Sequence, residues 1–184
     1  SIEDLPGPVD LAVCAVPRES AESVIQQCCD HGVGALTIVT AGFGEADEWG
    51  RDAQPRLREL LQQYGVRAIG PNTVGFMSWP ARLAATFVPL NGWEGGPVAL
   101  ASQTGNFAGC LADEVLHHST QRLRMGLSVS MGNKISVDEL DLLEYMAGHP
   151  EFRVLGFHLE SLQRGREFVN FARTVTPQVP VVVL

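Results

Sequence analysis

Short apolar runs alternate with amphipathic stretches along most of this chain, and that alternation leaves few folds open. Residues 11–16, 35–40, 66–70, 97–101, 125–130, 154–159 and 179–184 read as strands. Residues 19–31, 47–64, 105–118, 137–148 and 164–175 carry helical periodicity; Gly32 and Gly65 close the first two, and Asp138 stands near the start of the fourth. Strands that are apolar throughout, separated by helices, belong in parallel sheets covered on both faces. Crossovers in such sheets are right-handed, and their ligands lie beyond the carboxyl ends of the strands. Residues 71–96, with Pro80, Pro89, Gly92, Gly95 and Gly96, read as an irregular crossing between two such units. The expected fold is therefore α/β, two doubly wound parallel-sheet units in tandem, without an internal repeat.

A hydrophobic fraction of 45% over 184 residues is enough for a real core. With 13 basic against 21 acidic residues the net charge is −8, and Lys134 is the only lysine, so the basic stripe of a nucleic-acid surface is missing. No apolar stretch is long enough to span a bilayer and no signal-peptide pattern is visible, so no membrane partner is expected. Cys14, Cys28, Cys29 and Cys110 have neither zinc-site nor Cys-x-x-Cys spacing. They are expected to be buried, reduced thiols in a cytoplasmic protein, and no metal site is expected. Both ends look cut, since residues 1–6 lead directly into a strand and residues 179–184 stop inside one. The chain is expected to be a piece of a longer polypeptide.

The strand ends carry the chemistry. Residues 98–112 read as a buried strand, a small-residue turn and a helix, with Ser102-Gln103-Thr104-Gly105 as the turn and Asn106 just inside the helix. The first N–H groups of a helix have no partner within it, and the helix dipole adds partial positive charge there. Such a turn can hold an anion, most often phosphate, without lysine or arginine; equally, Ser102 or Thr104 can simply cap the helix. In the first unit the corresponding ends are Val16-Pro17, Thr40-Ala41-Gly42-Phe43-Gly44 and Gly70-Pro71-Asn72. Gly42 and Gly44 permit close backbone approach, Asn72 can bond a ligand or close an Asx turn, and Pro17 suits the start of a helix. Their shared address favours one ligand crevice over unrelated turns. The second unit's address is expected to gather residues 102–106, Gly132-Asn133-Lys134 and Glu160. Lys134 reads as a solvated loop lysine, His158 as structural, and Glu160 as a carboxylate that can hold a histidine or a helix N–H.

These residues resemble those of the nucleotide-forming acyl-CoA synthetases, the ADP-forming acetyl-CoA synthetases and the α subunit of succinyl-CoA synthetase. The resemblance covers nearly the whole chain. It rests on residues 10–17, Thr40-Ala-Gly-Phe-Gly-Glu45, Gly70-Pro-Asn72, Ala101-Ser-Gln-Thr-Gly105, Ser130-Met-Gly-Asn-Lys134 and residues 138–145, in that order. It implies that residues 1–92 are the later half of a CoA-binding Rossmann-like domain and residues 93–184 the start of a flavodoxin-like ligase domain. It further implies that Val16, Pro17, Thr40, Gly42 and Asn72 line a CoA site. Ser102, Thr104, Gly105 and Asn106 would hold phosphate at a helix N-terminus, and Glu160 would orient the histidine that carries it.

The implied reaction joins a small carboxylic acid to coenzyme A at the expense of ATP or GTP, through an acyl phosphate and a phosphohistidine. The nucleotide and Mg²⁺ would sit on an ATP-grasp domain or β subunit outside this chain, in an oligomer. Two family features are missing from the sequence: the glycine-rich opening unit of the CoA domain, and a histidine in the phosphorylated context, which none of His31, His117, His118, His149 or His158 occupies. The fragment alone is therefore expected to be inactive. Ala41 also stands where succinyl-CoA synthetases tend to carry glutamate. The same architecture could instead serve as a CoA-sensing regulatory module of a lysine acetyltransferase. A nicotinamide-dependent dehydrogenase would need a Gly-x-Gly-x-x-Gly turn after a strand, and the chain has none.

Overall fold

A computed structural model describes residues 2–89, 93–113 and 124–184. After a short 3-10 turn at Ile2–Asp4 the chain forms two compact units. The first comprises Ser1–Thr73 and Gly132–Val137, the second Val74–Met131 and Asp138–Leu184.

The first unit is a parallel sheet in the order β1-β2-β3, built from β1 (Leu11–Cys14), β2 (Ala35–Ile38) and β3 (Arg67–Ile69). The helices α1 (Arg18–Asp30) and α2 (Glu48–Tyr64) make the crossovers. Because the strands advance in one direction, right-handed crossovers put both helices on the same face. Ile25, Leu57 and Leu61 from the helices are fully buried against Leu36, Ile38 and Phe43. Helix α2 has clear stop and start signals: the Asp47 side chain accepts the Gly50 N–H at 2.9 Å, and Gly65 closes it with φ of +66°. Pro17 occupies the N-cap of α1, so the helix begins one residue after it.

The segment 132–137 completes this unit along the outer edge of β3. The N–H groups of Asn133, Ile135 and Val137 donate to the carbonyls of Pro71, Gly70 and Ala68, at 2.9, 3.3 and 3.1 Å. The Ala68 N–H donates to Ser136 Oγ at 3.2 Å, and Ile135 is buried in the core.

The second unit is a mixed sheet in the order β5-β4-β7-β6-β8-β9. Its parallel part consists of β6 (Val98–Ser102), β7 (Met125–Ser130), β8 (Val154–His158) and β9 (Val181–Val183). Counted from β6, the first of the four in the chain, these lie in the spatial order 2-1-3-4, the flavodoxin-like arrangement. Helix α3 (Gly105–Asp113) follows β6; α4 (Glu139–Ala147) and α5 (Gly165–Val175) follow β7 and β8. Right-handed crossovers place α3 on one face and α4 with α5 on the other, since the chain reverses direction at β6. The expected continuation of α3 to residue 118 lies outside the described residues, as do His117, His118 and the side chain of Cys110.

Two expectations are corrected. Part of the stretch 71–96 is a hairpin, β4 (Gly75–Ser78) and β5 (Leu83–Thr86), and β4 pairs antiparallel with β7. The second sheet is thus mixed, not purely parallel. The hairpin is short and rich in Gly, Ala and Met, which carry little strand propensity, and its flanking prolines suggest a loop. What holds it is packing: Gly75 has φ of +90° and a Cβ there would lie 1.9 Å from the Ala85 carbonyl oxygen. Trp79 meets Trp93 edge-on at 5.4 Å, and the Trp93 indole N–H donates to the Met125 carbonyl.

Candidate functional site

In the first unit the three strand ends are tied to one another. The buried Thr40 hydroxyl donates to the Val16 carbonyl at 2.8 Å and the Val16 N–H returns to it at 3.3 Å. The Asn72 N–H donates to the Thr40 carbonyl at 3.0 Å; Asn72 itself is exposed, in the left-handed region at φ of +60°, directly after a cis Gly70–Pro71 bond. Gly42 also needs its φ of +93°, and its carbonyl accepts from Arg18 at 3.1 Å. The structure therefore brings Val16, Pro17, Thr40, Gly42 and Asn72 together at the carboxyl end of one sheet.

Several residues that do this work escape sequence reasoning. Glu45 folds back on its own turn, accepting the Gly42 N–H at 2.6 Å, and reaches Asn133 at 2.5 Å. Asn133 also donates to Gln54, which accepts the Gly44 N–H. Partial burial pushes the Glu45 carboxyl up, but the hydrogen bonds from Asn133 and from the Gly42 N–H outweigh it and hold the group below the ordinary glutamate value. Arg18 adds an ion pair to Asp47 at 2.8 Å and lies 5.0 Å over the Trp49 ring. Gly132-Asn133-Lys134 thus serves the first unit rather than the second, a correction to the expected grouping. Gly132 is obligatory there, because a Cβ would lie 2.1 Å from the Pro71 carbonyl oxygen. Lys134 is buried, 3% exposed, where a solvated side chain was expected.

In the second unit the turn after β6 and the turn after β8 lie at the point where strand order reverses. Ser102 is fully buried, and its hydroxyl donates to the Thr104 carbonyl at 2.8 Å with His158 Nδ1 3.4 Å away. Thr104 accepts the Ala108 N–H at 3.3 Å and so opens α3. The first N–H groups of that helix have no helix carbonyl to bond. Gly105 has a packing reason: a Cβ would lie 2.7 Å from Val74 Cγ1. Asn106 is exposed. His158 stacks on Phe107 at 4.5 Å, in line with a structural role.

Glu160 is exposed near the start of the turn after β8, and its N–H donates to Gln103 Oε1 at 3.0 Å. Ser102, Thr104, Gly105, Asn106 and Glu160 therefore lie in two adjoining segments, the β6–α3 junction and the turn after β8. The loop beyond is anchored at α4 and α5. Asp138 forms a capping box with Asp141, and Arg164 pairs with Asp138 at 2.6 Å and with Asp141 at 2.8 Å. Among the described residues no cluster of His, Cys, Asp or Glu could hold a metal ion, and no helix is long and apolar enough to cross a membrane.

Residues 95–184 match the succinyl-CoA ligase like flavodoxin domain. Over its full length the chain is 36% identical to the α subunit of acetate–CoA ligase [ADP-forming] II of Pyrococcus furiosus, of which it spans 39%. It is 30% identical to 4-hydroxybutyrate–CoA ligase [ADP-forming] of Nitrosopumilus maritimus, again over its full length and 26% of that protein. Among solved structures, a Pyrococcus horikoshii protein superposes with a TM-score of 0.91 at 33% identity, covering 100% of this chain and 41% of that one. The Ca. Korarchaeum cryptofilum acetyl-coenzyme A synthetase 1, solved with phosphate and ADP, gives a TM-score of 0.89 at 33% identity over 98% of this chain and 38% of its own. Motifs, strand order and relatives point the same way: residues 95–184 match the flavodoxin-like domain of succinyl-CoA ligases, and the chain as a whole is similar to part of the ADP-forming acyl-CoA synthetases.

Proposed function

We propose that this chain is the part of an ADP-forming acyl-CoA synthetase that meets CoA and a transferred phosphoryl group. In that reaction a small carboxylic acid, CoA and a nucleoside triphosphate give acyl-CoA, nucleoside diphosphate and phosphate, by way of an acyl phosphate and a phosphohistidine. The Pyrococcus furiosus and Nitrosopumilus maritimus ligases named above are ADP-forming, which favours ATP over GTP.

The observation that carries the reading is the pair of turns in the second unit. The 102–105 turn opens onto the N–H groups of α3, and the Glu160 turn is hydrogen-bonded to it through Gln103. Fixed backbone donors and the helix dipole stabilise phosphate as it passes between carriers, at no cost in reorganisation. The Glu160 carboxylate holds the imidazole of a histidine from another segment in one tautomer and stabilises its positive form.

The order β1-β2-β3 fits the later half of a Rossmann sheet, and its tied strand ends support a CoA site at Val16, Pro17, Thr40, Gly42 and Asn72. On this reading residues 1–92 derive from the CoA-binding domain and residues 93–184 from the ligase domain. The nucleotide and Mg²⁺ bind an ATP-grasp domain or β subunit, and the working enzyme is an oligomer. The buried free thiols of Cys14, Cys28 and Cys29 suit a cytoplasmic setting.

In the full-length protein assayed with its nucleotide-binding partner, Glu160→Gln slows histidine phosphorylation on the order of a hundredfold and leaves CoA affinity nearly intact. An unchanged phosphorylation rate overturns the assignment.

A further inference from the structure

Gln103 sits in the turn that the proposed function gives to phosphate, yet its side chain is committed elsewhere. Its Oε1 accepts the backbone N–H groups of Glu160 and Ser161, each at 3.0 Å. Its Nε2 donates to Ser161 Oγ at 3.1 Å, and its own backbone N–H donates to the His158 carbonyl at 2.8 Å. Two backbone donors converging on one atom require that atom to be the amide oxygen. Both ends of the amide are therefore engaged by the turn after β8.

The same loop is held at its far end by Glu139. This carboxylate is fully buried, and its Oε1 accepts the N–H groups of Gln163 at 2.6 Å and Arg164 at 3.1 Å. Four N–H groups between residues 160 and 164 are thus fixed by two side chains from neighbouring elements. Glu160 is itself exposed, with its direction set by the backbone that carries it.

We propose that Gln103 is a positioning residue for Glu160: it fixes the 160–161 backbone so that the carboxylate is presented at the 102–105 turn. The proposal rests on the assignment of Glu160 as the partner of the phosphorylated histidine. Gln103 does not bind phosphate through its side chain; it keeps the carboxylate and the anion-binding N–H groups in register. A loop that carries its carboxylate loosely loses rate through misplacement, with substrate affinity largely spared.

The test is a double-mutant cycle in the full-length protein, reading histidine phosphorylation by ATP and, separately, CoA affinity. Gln103→Met nearly preserves side-chain size and removes the acceptor. It is expected to slow phosphorylation about tenfold, the scale of one or two lost hydrogen bonds, while CoA affinity stays at the parent value. Added to Glu160→Gln it produces no further slowing, because its effect passes through that carboxylate. Gln103→Asn, one methylene too short to reach either N–H, gives the same pattern and serves if the apolar variant does not fold. A parent-like rate in Gln103→Met, or full slowing on top of Glu160→Gln, overturns the positioning role and leaves Glu160 standing. A parent-like rate in Glu160→Gln overturns both.

Discussion

Glu45 ties its own turn to the 132–137 segment at the strand ends of the first unit, and its titration should be felt there. Its pKa is depressed by hydrogen bonds that only the folded state offers. By linkage, the stability it confers is present above the unfolded glutamate value, about 4.3, and is lost as pH falls through the lower folded value. Glu45→Gln should therefore lower Tm at pH 7, and the gap to the parent protein should close as pH drops below about 4. A gap that is constant with pH would mean the carboxylate's charge is irrelevant. Glu45 stands inside a motif visible in the sequence, but its partner Asn133 lies 88 residues away and no local pattern joins them. The same holds for Gln103 and Glu160, 57 residues apart. The burial of Lys134 departs from expectation for a related reason: composition says where a lone lysine is usually found, whereas here the 132–137 segment carries it into the interior.

The legible elements were those whose signals are local. Helix α2 has a capping aspartate, a stripe of buried residues and a glycine stop, all contiguous, and its bounds follow the sequence closely. Gly65 has φ of +66° and open space around its missing Cβ, so Gly65→Ala should cost about 1 kcal/mol in urea unfolding, a conformational penalty alone. Gly75→Ala should cost clearly more, because its Cβ would collide with the Ala85 carbonyl and pry β5 from β4. Equal costs at the two sites would contradict this division. The β4–β5 hairpin was illegible because its stability comes from tertiary contacts. Its strands are four residues each, and their fixing partners, β7 and Trp93, lie elsewhere in the chain.

Across the whole molecule, the sequence indicated an α/β class with parallel sheets, and the structural relatives agree with that class. What it hid is that the first unit is discontinuous. Residues 132–137 cover the outer edge of β3 with hydrogen bonds and place Ile135 in the core. A sheet edge left bare invites mispairing. The piece 1–92 expressed alone should accordingly aggregate or unfold without a cooperative transition, while a chain reaching past residue 137 should melt cooperatively. A sharply melting, monomeric 1–92 would refute this. The borrowed segment also imposes a schedule on synthesis. As the chain leaves the ribosome, the first unit must wait, its rim unsealed, until most of the strands of the second have already emerged; the two cannot mature strictly one after the other.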